Sequence, residues 1–171
     1  MRTNLRKPGV NVNAPNEKGE TALHLACKSK DPPSKDRLDI LDLLLGSSDV
    51  DIEAKDNAGN TPLMLACLAN KDELVKRLLD KDADLNVTSF NHSSPLQIAV
   101  KRGATPIIGL LLATKKISTD AKCFKDDKWV HPLQVSRGKS MVVASLLTDY
   151  FGPLPDGGTS LFGFSSFMVS L

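Results

Sequence analysis

The seven residues TPLMLAC at 61–67 decide how this chain is read, because TALHLAC at 21–27 spells nearly the same thing one structural unit earlier. Thr61 is a residue type that caps the first free amides of a helix, and Pro62 follows at the position where a helix tolerates proline best. A helix that starts there carries Leu63, Ala66 and Cys67 on one face, with Gly59 supplying the turn before it and a break near Asn70 after it. Leu74, Val75, Leu78 and Leu79, at i, i+1, i+4 and i+5, mark a second helix. The unit is a helical hairpin. Aligned on Ala22-Leu23, Pro62-Leu63, Pro95-Leu96 and Pro132-Leu133, it recurs after 40, 33 and 37 residues. Two short helices with apolar residues on more than one side cannot hide that surface from water alone, so each copy needs a neighbour stacked against it, and the repetition is the fold.

The period and the motif together resemble the ankyrin repeat family, whose unit of about 33 residues carries a TPLHxA signature. TALHLA at 21–26 and TPLMLA at 61–66 match closely, SPLQIA at 94–99 fairly, and HPLQVS at 131–136 is degenerate. The family's connector is met as GVNVNAPN at 9–16, VDIEAKD at 50–56, ADLNV at 83–87 and, in worn form, DAKCFKDD at 120–127. The resemblance covers roughly residues 9–150 and implies an all-α solenoid of stacked helix-turn-helix units joined by β-turn or hairpin loops. It divides the chain into a partial connector or N-terminal cap at 1–15, repeats at 16–55, 56–88 and 89–121, a degenerate fourth repeat or cap at 122–152, and a non-repeat tail at 153–171.

Departures from the pattern carry expectations of their own. The first copy is longer by about seven residues centred on KDPPSKDR at 30–37, whose prolines and charges predict a solvated loop between its helices. His92 and Trp129 stand where the family usually has glycine, which predicts turns of altered shape in the third and fourth copies. GVNVNAPN has the form of a connector leaving an earlier helix pair, so the chain reads either as starting on a short cap or as part of a longer array.

The chemistry of the composition narrows the function. The 171 residues hold 22 Lys and Arg against 20 Asp and Glu, and a net charge of +2 supplies no strong field for a nucleic acid or an anionic membrane. No run of about 18 apolar residues suggests a membrane span, and the start of the chain lacks the apolar core of a signal peptide, so an intracellular protein, cytoplasmic or nuclear, is expected. Cys27, Cys67 and Cys123 show no CxxC spacing and predict neither a disulfide framework nor a zinc site. His24, His92 and His131 lie in different repeats, no phosphate-binding glycine motif occurs, and no catalytic residue, cofactor or metal is expected. By resemblance, His24 ties neighbouring helix starts together.

The resemblance implies that turn tips and first helices line one concave face that holds other proteins; separately, the chain is expected to be monomeric. Matching to the family's variable positions places Asn57, Asn60, Leu68, Ala69, Phe90, Asn91, Lys101, Arg102 and Lys128 on that face, with Phe90, Leu68 and Arg102 as anchors because apolar and arginine side chains carry interface energy. A non-catalytic scaffold, adaptor or inhibitor is the first reading. The alternatives are a regulatory or targeting segment of a larger enzyme, ubiquitin ligase or channel, and a substrate role: LLDKDADLN at 78–86 is similar to sites that an asparaginyl hydroxylase modifies, with Asn86 the modified residue.

Overall fold

In the computed structural model the residues described are 11–28, 35–118, 123–125, 128–130 and 140–152. They form helices α1 (Ala22–Lys28), α2 (Lys35–Leu45), α3 (Pro62–Leu68), α4 (Asp72–Leu79), α5 (Pro95–Arg102), α6 (Thr105–Ala113) and α7 (Met141–Phe151), with strands β1 (Cys123–Lys125) and β2 (Lys128–Val130) between the last two helices. Consecutive helices pair as hairpins, α1 with α2, α3 with α4 and α5 with α6. The first helices then stack as α1, α3, α5 and the second helices as α2, α4, α6, α7, which gives a two-layered helical stack.

Local chemistry starts and stops α3 as the sequence predicts, and α5 follows the same pattern. Thr61 and Ser94 are extended in backbone and accept the amides of Met64 and Gln97, and a proline occupies the next position in each case. Asn70 and Gly103 end the first helices in the left-handed region, with φ of 57° and 68°, and the chain reverses into α4 and α6. Leu63, Met64, Ala66 and Cys67 of α3 and Leu74, Val75 and Leu78 of α4 are buried in one continuous core that also takes in Leu23, Leu41, Leu96, Ile108, Leu111, Val143 and Leu147. Cys27 and Cys67 are fully buried free thiols in successive first helices, and burial pushes the Cys27 thiol up to about 12. The Cys67 thiol is pushed up too, by burial first and by the neighbouring Cys27 second.

Two expectations need correction, at 30–37 and at His92. α2 begins at Lys35, so the last three residues of the stretch 30–37 are helical, where the sequence reads as loop; residues 29–34 lie outside the described residues. His92 does not alter the shape of its turn. It adopts φ 54°, beside 73° for Gly19 and 75° for Gly59, and its amide donates to Ser89 O just as Gly19 donates to Asn16 O and Gly59 to Asp56 O. The closing hydrogen bond and the exposed position let an L-residue sit in the left-handed region, which histidine visits more readily than most. Trp129 belongs to a strand, pairing with Phe124 in the antiparallel ribbon that also pairs Cys123 with Val130 and Lys125 with Lys128. The degenerate signature HPLQVS, the tail at 153–171 and residues 1–10 lie outside the described residues.

Candidate functional site

The turn tips are bound to one another before they can present anything to a partner. Asn57 N–H donates to Lys18 O at 2.9 Å, and Phe90 N–H, one repeat later, donates to Ala58 O at 3.1 Å. The Asn57 side-chain amide adds a bond to Glu17 O at 3.0 Å. Inside each tip, Asn16 and Asp56 wrap their side-chain oxygens around the amides that follow: Asn16 Oδ1 accepts from Lys18 and Glu20, and Asp56 Oδ1 from Ala58 and Asn60. The result is a row of rigid tips.

His24 fastens this row to the helices. Fully buried in the first turn of α1, it accepts from Thr21 N–H and the Thr21 hydroxyl on Nδ1, at 3.2 and 2.9 Å, and its Nε2–H donates to Asn60 O at 3.0 Å. The geometry therefore fixes the tautomer with the proton on Nε2 and joins the start of α1 to the tip of the next copy, the role that the resemblance implies. Beside it, the nearly buried Glu20 binds Lys28 Nζ at 2.5 Å and Asn16 Nδ2 at 3.1 Å. The Lys28 ammonium first, and the Asn16 amide second, hold the Glu20 carboxyl below its ordinary range against the opposing effect of burial.

The sequence-predicted face residues divide into two groups. Phe90, 68% exposed, and Leu68, 45% exposed, are large apolar side chains turned to water. Phe90 also closes over its neighbour: a Cβ at Gly59 would lie 2.8 Å from Phe90 Cδ1, so only glycine leaves room for the ring. Arg102 is exposed and donates to Leu68 O at 2.7 Å, which joins α5 to the free C-terminal carbonyls of α3 and sets the guanidinium beside the Leu68 side chain. Asn91 and Lys101 are exposed and Ala69 is half-buried in the same run of tips and helix ends. Asn57 and Asn60 belong to the second group, because their amides are spent within the protein, Asn57 on Glu17 O and Asn60 on the Asp56 carboxylate at 3.0 Å. Lys128 lies on β2, and its side chain is outside the described residues.

Asn86 is held on both sides of its amide, donating to Lys116 O at 3.0 Å and accepting from Ser118 N–H at 3.0 Å. Asn13 makes the same pair of bonds to Asp49 O and Asp51 N–H, at 2.7 and 2.8 Å, and Glu53, between them in register, accepts from Asp84 N–H at 2.8 Å. These three residues form a ladder along the connectors that the sequence reading misses. Their spacing equals that of the Ala-Leu and Pro-Leu pairs, which is the signal that could have found them.

Among the described residues no group of three or more His, Cys, Asp or Glu side chains is arranged to hold a metal ion, and no helix is long and apolar enough to cross a membrane. Compared with known proteins, the chain matches the family model for ankyrin repeats in three copies over residues 3–89 and again over 34–123. The chain belongs to the ankyrin repeat family. It is similar to the SMC5-SMC6 complex localization factor protein 1 of Bos taurus, 38% identical over 104 residues, which is 60% of this chain and 9% of that protein. It is also similar to ankyrin repeat protein nuc-2 of Neurospora crassa, 30% identical over 144 residues, 83% of this chain and 12% of that protein. The E3 ubiquitin-protein ligase KEG of Arabidopsis thaliana is 33% identical over 102 residues, 59% of this chain and 6% of that protein. The chain thus spans about a tenth or less of these relatives' length. As an ankyrin stack it is a protein-interaction module, with His24 filling the signature position of its first repeat and Met64 and Gln97 standing in its place in the next two.

Proposed function

We propose that this ankyrin stack is a non-catalytic module that binds partner proteins through its turn tips and first helices, acting as scaffold, adaptor or inhibitor. The observation that carries this reading is the exposure of Phe90 on a tip locked by its neighbours, together with that of Leu68 and Arg102, joined to each other at the ends of α3 and α5. Side chains presented on a rigid frame lose little freedom on binding, so contact energy is not consumed in ordering the surface. Large apolar side chains beside an arginine are the composition of interface hot spots. The buried thiols of Cys27 and Cys67 suit a reducing compartment, and the cytoplasm or nucleus is the location we infer.

A second reading concerns context: the module is the targeting or regulatory segment of a larger protein. The relatives support it, since a localization factor and a ubiquitin ligase each carry the matching stretch as a small part of a much longer chain. The substrate reading at Asn86 requires an enzyme to reach a residue whose amide is held by two hydrogen bonds, and mass spectrometry of the peptide containing Asn86 tests it by the presence or absence of one added oxygen.

The binding reading is tested by capturing proteins from a cell lysate on the tagged chain, beside a Leu68→Ser, Phe90→Ser variant of unchanged helical content. Proteins held by the parent and lost by the variant are the expected result. A set retained equally by both would remove these side chains from the site.

A further inference from the structure

Away from the tips, α3 and α5 end in two neighbouring turns, at 68–71 and 101–104, and the charge on this edge of the stack is unbalanced. Residues 89–118 hold Lys101, Arg102, Lys115 and Lys116 and no Asp or Glu, whereas residues 56–88 hold six acidic residues beside four basic ones. Lys116 is paired with Asp82 beyond the far end of α6. Lys101 and Arg102 stand exposed in the last turn of α5, and Lys71 adds a third positive charge from the neighbouring turn. The acids that follow Lys71 are engaged: Asp72 and Glu73 open α4, where the helix amides favour a carboxylate, and Glu73 also pairs with Arg77 at 3.2 Å.

A basic last turn alone is ordinary, since it complements the negative end of its helix. This one differs in what surrounds it. Arg102 Nη2 donates to Leu68 O at 2.7 Å, which fixes the guanidinium across the join between the second and third copies and leaves its other N–H groups without a partner among the described residues. The Lys101 ammonium has no partner among them either. Leu68, 45% exposed, ends α3, whose last turn carries no basic residue. A fixed cation, a free cation and an open apolar side chain therefore share one edge, and both turns lie within residues 35–118, which are described without a break.

We propose that this edge docks an acidic, apolar segment of a partner protein, with a carboxylate on Arg102 and Lys101 and a large apolar side chain on Leu68. The inference rests on the reading that the stack binds proteins, and it specifies the chemistry of what is bound. A planar guanidinium already held by one hydrogen bond takes a carboxylate through two parallel N–H groups with little further loss of freedom. Charge complementarity sets the sign of the partner, because the third copy has no acid in residues 89–118 to repel a carboxylate or to receive a cation. A nucleic acid suits the edge less well than an acidic peptide. Its affinity comes from many phosphates and from bases stacked on aromatic rings, whereas the two turns hold three cations, a leucine and no aromatic side chain.

The test selects a displayed library of random linear peptides on the full chain and resynthesises the tightest binder with its acidic residues replaced by Gln or by Lys. Selected peptides should be enriched in Asp and Glu beside Leu, Ile or Phe. Affinity for the tightest binder should fall by about tenfold or more in Leu68→Ser and in Lys101→Glu, each checked for unchanged helical content, and by a similar factor for the Gln peptide on the parent. Lys101→Glu should bind the Lys peptide more tightly than the parent does, an exchange of charge preference that a merely structural role would not produce. Peptides without acidic enrichment that still lose binding in Leu68→Ser with Phe90→Ser would overturn the inference and leave the protein-binding reading standing. Acidic peptides indifferent to both Leu68→Ser and Lys101→Glu would overturn it by placing their site elsewhere, and a selection that returns no binder would overturn it by removing the linear segment. A short single-stranded DNA that competes with the peptide at equal affinity would overturn it in favour of a nucleic acid.

Discussion

Replacing His24 tests how the copies are fastened together, and the neighbouring copies supply the ideal substitute. Met64 fills the equivalent position in α3 and is fully buried, so His24→Met keeps the volume of the site and removes only its polar links. Those links are the bonds from Thr21 to Nδ1 and from Nε2–H to Asn60 O. Asn60 O retains the amide of Asp56 at 3.0 Å, so the larger penalty falls on Thr21, which is buried and loses the acceptor for its N–H. Three hydrogen bonds are lost, the Thr21 N–H and hydroxyl sharing Nδ1 as one acceptor, and at about 1 kcal/mol for each ring nitrogen, with one buried donor left over, the loss for His24→Met is about 2 kcal/mol. For a chain of this size that is a fall of about 4–8 °C in thermal midpoint. His24→Ala adds a cavity and should cost about 3 kcal/mol. Urea unfolding followed by circular dichroism measures both, and native-state hydrogen exchange should place the loss in α1, α2 and the tip of the second copy, leaving α5 and α6 protected. A His24→Met protein within a few tenths of a kcal/mol of the parent would refute the claim that this imidazole ties the first two copies.

Three further perturbations probe the tips, the connectors and the ion pair of the nearly buried Glu20. Gly59→Ala forces a Cβ to 2.7 Å from Phe90 N and 2.8 Å from Phe90 Cδ1 at φ 75°, and should cost about 2 kcal/mol or more in denaturant unfolding; unchanged stability would mean that the tips are not held together as described. Glu53→Asn should stabilise the protein by about 1 kcal/mol at neutral pH, since asparagine at the equivalent positions 13 and 86 both accepts and donates across the connector, and a lower urea midpoint would contradict the ladder. Burial, the largest influence on the Glu53 carboxyl, holds it above its ordinary range, so its ionised form costs stability at neutral pH and removing the charge acts in the same direction. The Glu20 carboxyl is held below its ordinary value of 4.5, so its ion pair stabilises the fold above that pH and the contribution is lost as pH falls through the lowered value; Glu20→Gln should flatten the acid limb of the thermal midpoint, and parallel limbs in the two proteins would assign that limb to other carboxylates.

The helix starts were legible because they depend on single residues acting locally. Thr61 with Pro62 and Ser94 with Pro95 do in the structure what their types dictate. The second helices were legible from the spacing of Leu74, Val75, Leu78 and Leu79, since only one helical face can bury all four. What could not be read is how far each side chain is already engaged by a neighbouring copy. Asn57 and Asn60 occupy variable positions and look available, yet their amides close onto Glu17 O and Asp56. Leu25 and Leu65 look equivalent, and only their places in the stack make one exposed and the other buried. His92 misled for a related reason: glycine is the cheapest residue for a left-handed turn, but a closing hydrogen bond at 2.9 Å holds a histidine there as well.

Under the proposed function, partners meet the tips and first-helix ends of the stack and not its outer layer. With a captured partner in hand, the decisive measurement is its dissociation constant for three proteins: the parent, Leu68→Ser with Phe90→Ser, and Lys76→Ser with Asp80→Ser, the last pair being exposed residues at the end of α4. A loss of about tenfold or more is expected for the Leu68 and Phe90 pair, equivalent to about 1.4 kcal/mol, with the α4 pair matching the parent. Full affinity in the first variant, or an equal loss in the second, would contradict it.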